Sequence, residues 1–296
     1  MKSKLLCLLL LIGCACSLKA QPNVVFLTMD DLSRSSLGIH GCTIPEITPH
    51  LDRLAEEGMR FDHFHMIATN CTPSRNHMMT GQYQQNNLIL SLGKEGAGNH
   101  TNHRTMPAIF REAGYHTGIM GKNSHQMPFD PHSAWDVEYG GYGSTRVPDD
   151  IYEQTVAAVK ASKKSKQPLF FNLNLYDPHT TWYRWKAASG PVDSKQETPP
   201  SRVYTADEIP YPDFFPPLPE KYRSGSTKDG TPDISMMQEL AAYYNTVKRA
   251  DDSVGALLKG LEDTGVLDDT VVIAISDHGI QEPGAKTTLY HEGTVS

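Results

Sequence analysis

Two apolar runs near opposite ends of the chain, Val24-Val25-Phe26-Leu27-Thr28-Met29 and Val271-Val272-Ile273-Ala274-Ile275, each break off into acids. The first is followed by Asp30-Asp31 and the second by Ser276-Asp277-His278-Gly279. Short apolar runs rich in β-branched residues read as buried strands of a parallel sheet. In open α/β sheets the ligand crevice lies beyond the carboxyl ends of the strands, so two strand-terminal acid clusters are expected to converge on one place. Taken singly, each acid pair reads more readily as a helix cap or a solvated turn than as a ligand set. A third run, Pro168-Leu169-Phe170-Phe171-Asn172-Leu173-Asn174-Leu175, reads as another buried strand and delivers Asp177-Pro178-His179.

Between these runs the pattern turns helical. Thr48-Pro49 opens an amphipathic helix closed by Gly58, Thr105-Met106-Pro107 opens another closed by Gly114, and further helices are expected over 149–163 and about 235–265. Strands alternating with helices predict an α/β fold, a mostly parallel central sheet with helices on both faces. A chain of 296 residues can hold one large domain of this kind. The Pro- and Tyr-rich stretch from about 189 to 232 is too long for a plain connection and reads as a covering loop in preference to an excursion bordering a substrate.

Cys71-Thr72-Pro73-Ser74-Arg75 supplies the chemistry. Proline suits the first turn of a helix, and a helix from Pro73 to Thr80 would end at Gly81. Residue 71 then lies at a helix N-terminus, where backbone N–H groups favour an anion. On its own the segment is also compatible with a buried free cysteine ahead of a proline-started helix. Beside Cys71, the strand-end carboxylates read as ligands of a hard divalent cation, calcium or magnesium.

The spacing Cys-x-Pro-x-Arg is the one that sulfatases present for oxidation of cysteine to formylglycine. With its companions the chain resembles the type I sulfatases of the alkaline phosphatase superfamily, from about Asn23 to its last residue. The resemblance implies that Asp30 and Asp31 are the first metal ligands and Asp277 with His278 the second pair. It makes Cys71 the formylglycine, also at the metal, and Arg75 the arginine that steadies it. Many members carry Asn where this chain has His278, and histidine is an unusual calcium ligand. Gly121-Lys122-Asn123-Ser124-His125 resembles the family's Gly-Lys segment, although His125 follows the lysine by three residues where two is commoner. His179 is similar to the family's active-site histidine, and Lys286 matches the cation after the second metal pair.

The chemistry implied is hydrolysis of a sulfate ester or sulfamate. The aldehyde hydrates to a geminal diol, one hydroxyl attacks sulfur, and the other lets the sulfated intermediate collapse to the aldehyde and expel sulfate. The metal with Lys122, Lys286 and Arg75 meets the sulfate charge, and His179 or His125 protonates the leaving group. The passages 28–31, 277–280 and 286–294 are most similar to the heparan N-sulfatase branch, which implies an exo-acting enzyme on glycosaminoglycan fragments such as N-sulfoglucosamine. O-sulfated sugars, a metal-dependent phosphohydrolase and an inactive sugar-sulfate binder are the rival readings. A formylglycine-forming enzyme is the implied maturation partner. Type I sulfatases continue into a smaller C-terminal subdomain, whereas this sequence stops at Ser296, so the chain alone is expected to be unstable or inactive.

Lys2 and Lys4 precede an apolar run from Leu5 to Cys16, too short for a membrane span but suited to a secretory signal over 1–20. The catalytic domain is then expected over 21–296. Leu11-Ile12-Gly13-Cys14 also resembles a bacterial lipobox, which would lipidate Cys14; cleavage after Ala20 is the alternative. The protein is expected to be exported, periplasmic or lipid-anchored if bacterial, with membrane contact only through Cys14. Beyond the leader only Cys42 and Cys71 remain of five cysteines, which excludes a disulfide framework. A net charge of −7 without a basic stripe argues against nucleic acid and leaves recognition of a sulfated sugar to a local basic pocket. Gly121-Lys122 lacks the P-loop pattern, so nucleotide binding finds no support.

Overall fold

The three apolar runs form the middle and one edge of a single sheet. The computed structural model describes residues 21–87, 104–123, 135–180, 182–183, 198–210, 236–281, 285–289 and 291–294. The expected leader with Cys14, and His125, lie outside the described residues. Five strands, β1 (Asn23–Asp30), β2 (His116–Met120), β3 (Val137–Tyr139), β4 (Leu169–Pro178) and β5 (Thr270–Ser276), lie in the order β3-β2-β4-β1-β5, every pairing parallel. Asp30 is level with Pro178 of β4, and Met29 is level with Ser276 of β5. That register brings Asp31, His179 and Asp277 to one edge of the sheet.

Side chains alternate across the strands and build a core on each face. On one face Val25, Leu27 and Met29 of β1 join Phe171, Leu173 and Leu175 of β4. They are covered by Leu51 of α1 (Pro49–Glu57), by Ile151, Ala158 and Val159 of α4 (Pro148–Ser165) and by α5 (Met236–Asp263) through Leu240, Val247, Val254 and Leu257. On the other face Phe26, Ile119 and Phe170 pack with Met79 of α2 (Cys71–Thr80) and with Met106 and Phe110 of α3 (Met106–Glu112). No helix among the described residues is long and apolar enough to cross a membrane.

Two expectations need correction, and two strands carried no expectation at all. The run 271–275 was expected to be buried; among the described residues β5 pairs with β1 alone, and Val271 and Ile273 are 47% and 44% exposed. An apolar run alone does not distinguish a central strand from an edge. The helix at Cys71 begins at Cys71 itself and not at Pro73, because Pro73 in the third position still falls in the first turn, where its missing N–H is no loss. Strands β2 and β3 carry no clear apolar pattern in the sequence, and both belong to the sheet. The covering-loop reading holds over 198–210, where Tyr204 is buried and its N–H donates to Asn245 Oδ1 of α5 at 2.6 Å. The rest of that stretch lies largely outside the described residues.

Candidate active site

Adjacent residues of a strand point to opposite faces, so Asp30 and Asp31 could not share a site if β1 ran straight on. Asp31 instead adopts a left-handed conformation, φ 67°, which turns the chain as the strand ends. Both carboxyls then reach one buried cluster, in which Asp30, Cys71, Asp277 and His278 bring ligand atoms within 4.8 Å of one another. Cys71 Sγ lies 3.7 Å from Asp30 Oδ1 and 3.3 Å from His278 Nε2. It is the first residue of α2, with Asn70 in the N-cap position. Ser74, one turn on, donates to the Asp277 carbonyl at 2.8 Å and ties α2 to the end of β5.

Arg75 lies beneath this cluster, fully buried. Its Nε donates to Asp277 Oδ2 at 2.8 Å, one terminal nitrogen to Asp30 Oδ2 at 3.1 Å, and the other to Thr28 Oγ1 at 2.8 Å and Asn174 Oδ1 at 2.9 Å. The guanidinium fork thus locks two strand-end acids from β1 and β5 into one geometry. Those contacts point Arg75 at the carboxylates of Asp30 and Asp277. Asn174 extends the lattice, since its amide donates to the Gly121 carbonyl at 3.1 Å, just ahead of Lys122. A Cβ on Gly121 would stand 2.5 Å from the Asn174 carbonyl oxygen, and its φ of 75° suits glycine.

Two lysines meet the strand-end acids. Lys122 pairs with Asp30 Oδ2, and Lys286 donates to Asp31 Oδ1 at 2.7 Å. The Lys286 segment is fastened beside α2, because the Thr287 N–H donates to the Thr69 carbonyl at 2.8 Å. His179 closes the group, with a ring nitrogen within 4.8 Å of ligand atoms of Asp30 and Asp31. Its Nδ1 donates to the Thr180 carbonyl at 2.7 Å, which leaves Nε2 as the proton-accepting nitrogen of the neutral ring. Burial, reinforced by Lys122 and Lys286, pushes His179 down to about 4 against the opposing pull of Asp30. The ring therefore rests neutral at neutral pH.

The electrostatics of the acids are unequal. Burial pushes Asp30 up, but Lys122, Arg75 and His278 outweigh it and hold the carboxyl well below its usual range. Burial and the neighbouring Asp30 charge push Asp31 up to about 7 despite His278 and Lys286. His278 is pulled down by burial but held up to about 10 by Asp277, Cys71, Asp31 and Asp30. Asp31 Oδ2 is buried without a hydrogen-bond partner. A buried carboxylate oxygen with no donor, beside two further carboxylates, is the acceptor surplus that a cation relieves. The residues present therefore fit a hard divalent cation on Asp30, Asp31 and Asp277, with His278 as a nitrogen donor.

A second group, His50, Asp251 and Asp252, also brings ligand atoms within 4.8 Å. Its acids are already spoken for: Asp251 accepts the Leu51 and His50 N–H groups at 2.9 and 3.0 Å, and Asp252 accepts Lys248 Nζ and the Ser201 N–H, each at 2.7 Å. It caps α1 and fastens the covering loop.

Of the expected site residues, Asp30, Asp31, Cys71, Arg75, Lys122, His179, Asp277, His278 and Lys286 come together. Sequence reasoning missed Thr28, Ser74 and Asn174, and also Arg146 and Arg249, which flank Asp177. Asn172 and Asn174, at alternate places in an otherwise apolar strand, were the one visible signal of a polar buried face.

Comparison with known proteins decides the lineage: the family model described as Sulfatase matches residues 22–295. The chain belongs to the sulfatase family. It is 30% identical to human N-sulphoglucosamine sulphohydrolase over 97% of its length and 56% of that protein's. A solved 2-O GAG sulfatase superposes with a TM-score of 0.64 at 19% identity, covering 93% of this chain and 63% of the other. A protein solved in complex with its substrate D-glucosamine-2-N,6-O-disulfate superposes with a TM-score of 0.58 at 20% identity, over 88% of this chain and 66% of the other. The structural likenesses show the shared fold. The chain spans about half the length of the curated relatives it matches.

Proposed function

We propose that residues 21–296 form the catalytic domain of an exported sugar sulfatase that releases sulfate from a sulfated glucosamine, with Cys71 converted to formylglycine by a maturation enzyme. The carrying observation is the placement of Cys71 at the first turn of α2, 3.3 Å from His278 and grouped with the strand-end carboxylates of Asp30 and Asp277. The likeness to a relative named for N-sulphoglucosamine favours the N-sulfated sugar, and the leader favours export.

Asp30, Asp31, Asp277 and His278 would hold the cation, with calcium first and magnesium second for so oxygen-rich a set. When bound, that cation supplies acidification of the attacking hydroxyl and charge neutralisation at sulfur. The aldehyde hydrate at residue 71 supplies the nucleophile and a second hydroxyl through which sulfate is expelled. The α2 N-terminus directs N–H groups toward the sulfate oxygens. Lys122 and Lys286, each fixed by a carboxylate, meet the charge of the anion. Arg75 keeps Asp30 and Asp277 in register. His179, neutral at rest with Nε2 as acceptor, takes the proton lost by the attacking hydroxyl of the hydrate and delivers it to the departing amine or alcohol.

The test is sulfate release by formylglycine-bearing protein, offered N-sulfoglucosamine and O-sulfated glucosamines, with calcium present. Release from N-sulfoglucosamine that Cys71→Ala abolishes is the expected result. Release of phosphate from phosphomonoesters without release of sulfate would overturn the reading.

A further inference from the structure

Arg146 closes the short helical turn Tyr142–Arg146 and is 3% exposed. One terminal nitrogen pairs with Asp177 Oδ1 at 3.2 Å, and the other donates to the carbonyls of His179 at 2.8 Å and Thr180 at 3.2 Å. Its guanidinium carbon lies 4.2 Å from the centroid of the Tyr176 ring. The Thr180 carbonyl gripped by Arg146 is the same one that accepts the His179 Nδ1 proton. One side chain therefore holds residues 176, 177, 179 and 180, the whole carboxyl end of β4.

Charge balance alone does not explain it. Asp177 already has a forked partner in Arg249, with contacts of 2.6 and 3.0 Å. Burial and the nearby Arg249 charge make Arg146 harder to keep protonated than an ordinary arginine, although Asp177 opposes them. Tyr176 gives the arrangement reach, because its ring lies 4.8 Å from the Lys122 ammonium and 4.8 Å from the centre of the His179 ring. Cation–aromatic contacts of this kind fix direction as well as adding attraction.

We propose that Arg146 is the positioning residue of the proton-transfer side of the site: its fork fixes the Thr180 carbonyl, hence the tautomer and direction of His179, and through Tyr176 it seats Lys122. This rests on the sulfatase reading for its kinetic consequence, but the placement of His179 has its own readout.

The full chain is prepared as wild type, Arg146→Ala, Arg146→Lys and, as a control for lost stability, Asp251→Ala. Steady-state turnover and the 15N signals of the His179 ring are recorded. For Arg146→Ala, kcat should fall roughly 10- to 100-fold, as expected for a slightly misplaced reacting group, while KM changes less than about threefold. The His179 signals should shift from a single Nδ1–H tautomer to a mixture. Lysine keeps the charge but cannot grip both carbonyls and Asp177 at once, so Arg146→Lys should fold with intermediate kcat. Asp251→Ala should lose thermal stability with kcat and His179 signals unchanged. A folded Arg146→Lys with wild-type kcat and wild-type His179 signals overturns the proposal, whatever Arg146→Ala does. If the wild type itself turns over no sulfated sugar, the functional reading falls, and the His179 signals alone still decide this one.

Discussion

Two regions among the described residues gather acids and histidine, the strand ends and the Asp251–Asp252 pair, and they differ in what the protein has left over. Around Asp251 and Asp252 every carboxylate is met by backbone N–H groups, a lysine or a serine, and the cluster works as a clamp between α1, α5 and the covering loop. At the strand ends, three buried carboxylates share Arg75, Lys122 and Lys286, and Asp31 Oδ2 still has no donor. Residue types do not separate the two groups. Unspent acceptor capacity does, because a buried acid that is already satisfied gains little from a cation, whereas an unsatisfied one is costly without it.

The widest separation should come from removing Asp277. It contributes to the strand-end group and anchors Arg75 at 2.8 Å, so Asp277→Ala should lower kcat/KM roughly 100- to 1000-fold, a magnitude typical of lost transition-state electrostatics. Breaking the buried pair should also destabilise the fold by about 3–5 kcal/mol in urea titrations. Asp251→Ala should leave kcat/KM within about twofold, since it lies outside the site.

Calcium draws the contrast without chemistry. At about 100 times its dissociation constant a bound ion should stabilise the native chain by about 2.7 kcal/mol, visible as a higher thermal midpoint. Asp31→Asn should lose most of that gain, and Asp251→Asn should keep it. An equal calcium response in both variants would break the distinction. A smaller effect belongs to the clamp itself: Asp251→Ala strands two N–H groups and Lys248, at a cost of about 1–3 kcal/mol. Smallest of all is Lys259→Ala, whose pairing with Asp263 is solvent-exposed and should leave the midpoint unmoved.

Much of this contrast was written in the chain. Strands β1, β4 and β5 lead into the very residues that form the site, and it is the acids at three strand ends taken together, beside Cys71, that made the site legible. Helices α1 and α3 carry threonine and proline at their starts and glycine stops, α4 and α5 carry apolar periodicity, and their ends were legible to within a few residues. Strands β2 and β3 were not: His116-Thr117-Gly118-Ile119-Met120 has polar and small residues where a strand signal needs apolar ones, and Val137–Tyr139 is too short to show a period. Their strand character comes from pairing with β4 and with each other. Arg75 was visible as a motif residue, but its direction was not, because only the folded sheet brings Asp30, Thr28, Asn174 and Asp277 around one guanidinium. Arg146 and Arg249 had no signal at all, since their partner Asp177 lies 31 and 72 residues away in sequence.

Everything turns on residue 71. Peptide mass spectrometry of the chain, produced in cells that convert a control sulfatase, reads its side chain directly. Loss of the thiol with gain of the aldehyde at Cys71 is the expected result and would place the nucleophile precursor in the strand-end cluster. A persistent thiol, with the control fully converted, would contradict it and leave a sulfatase fold without sulfatase chemistry.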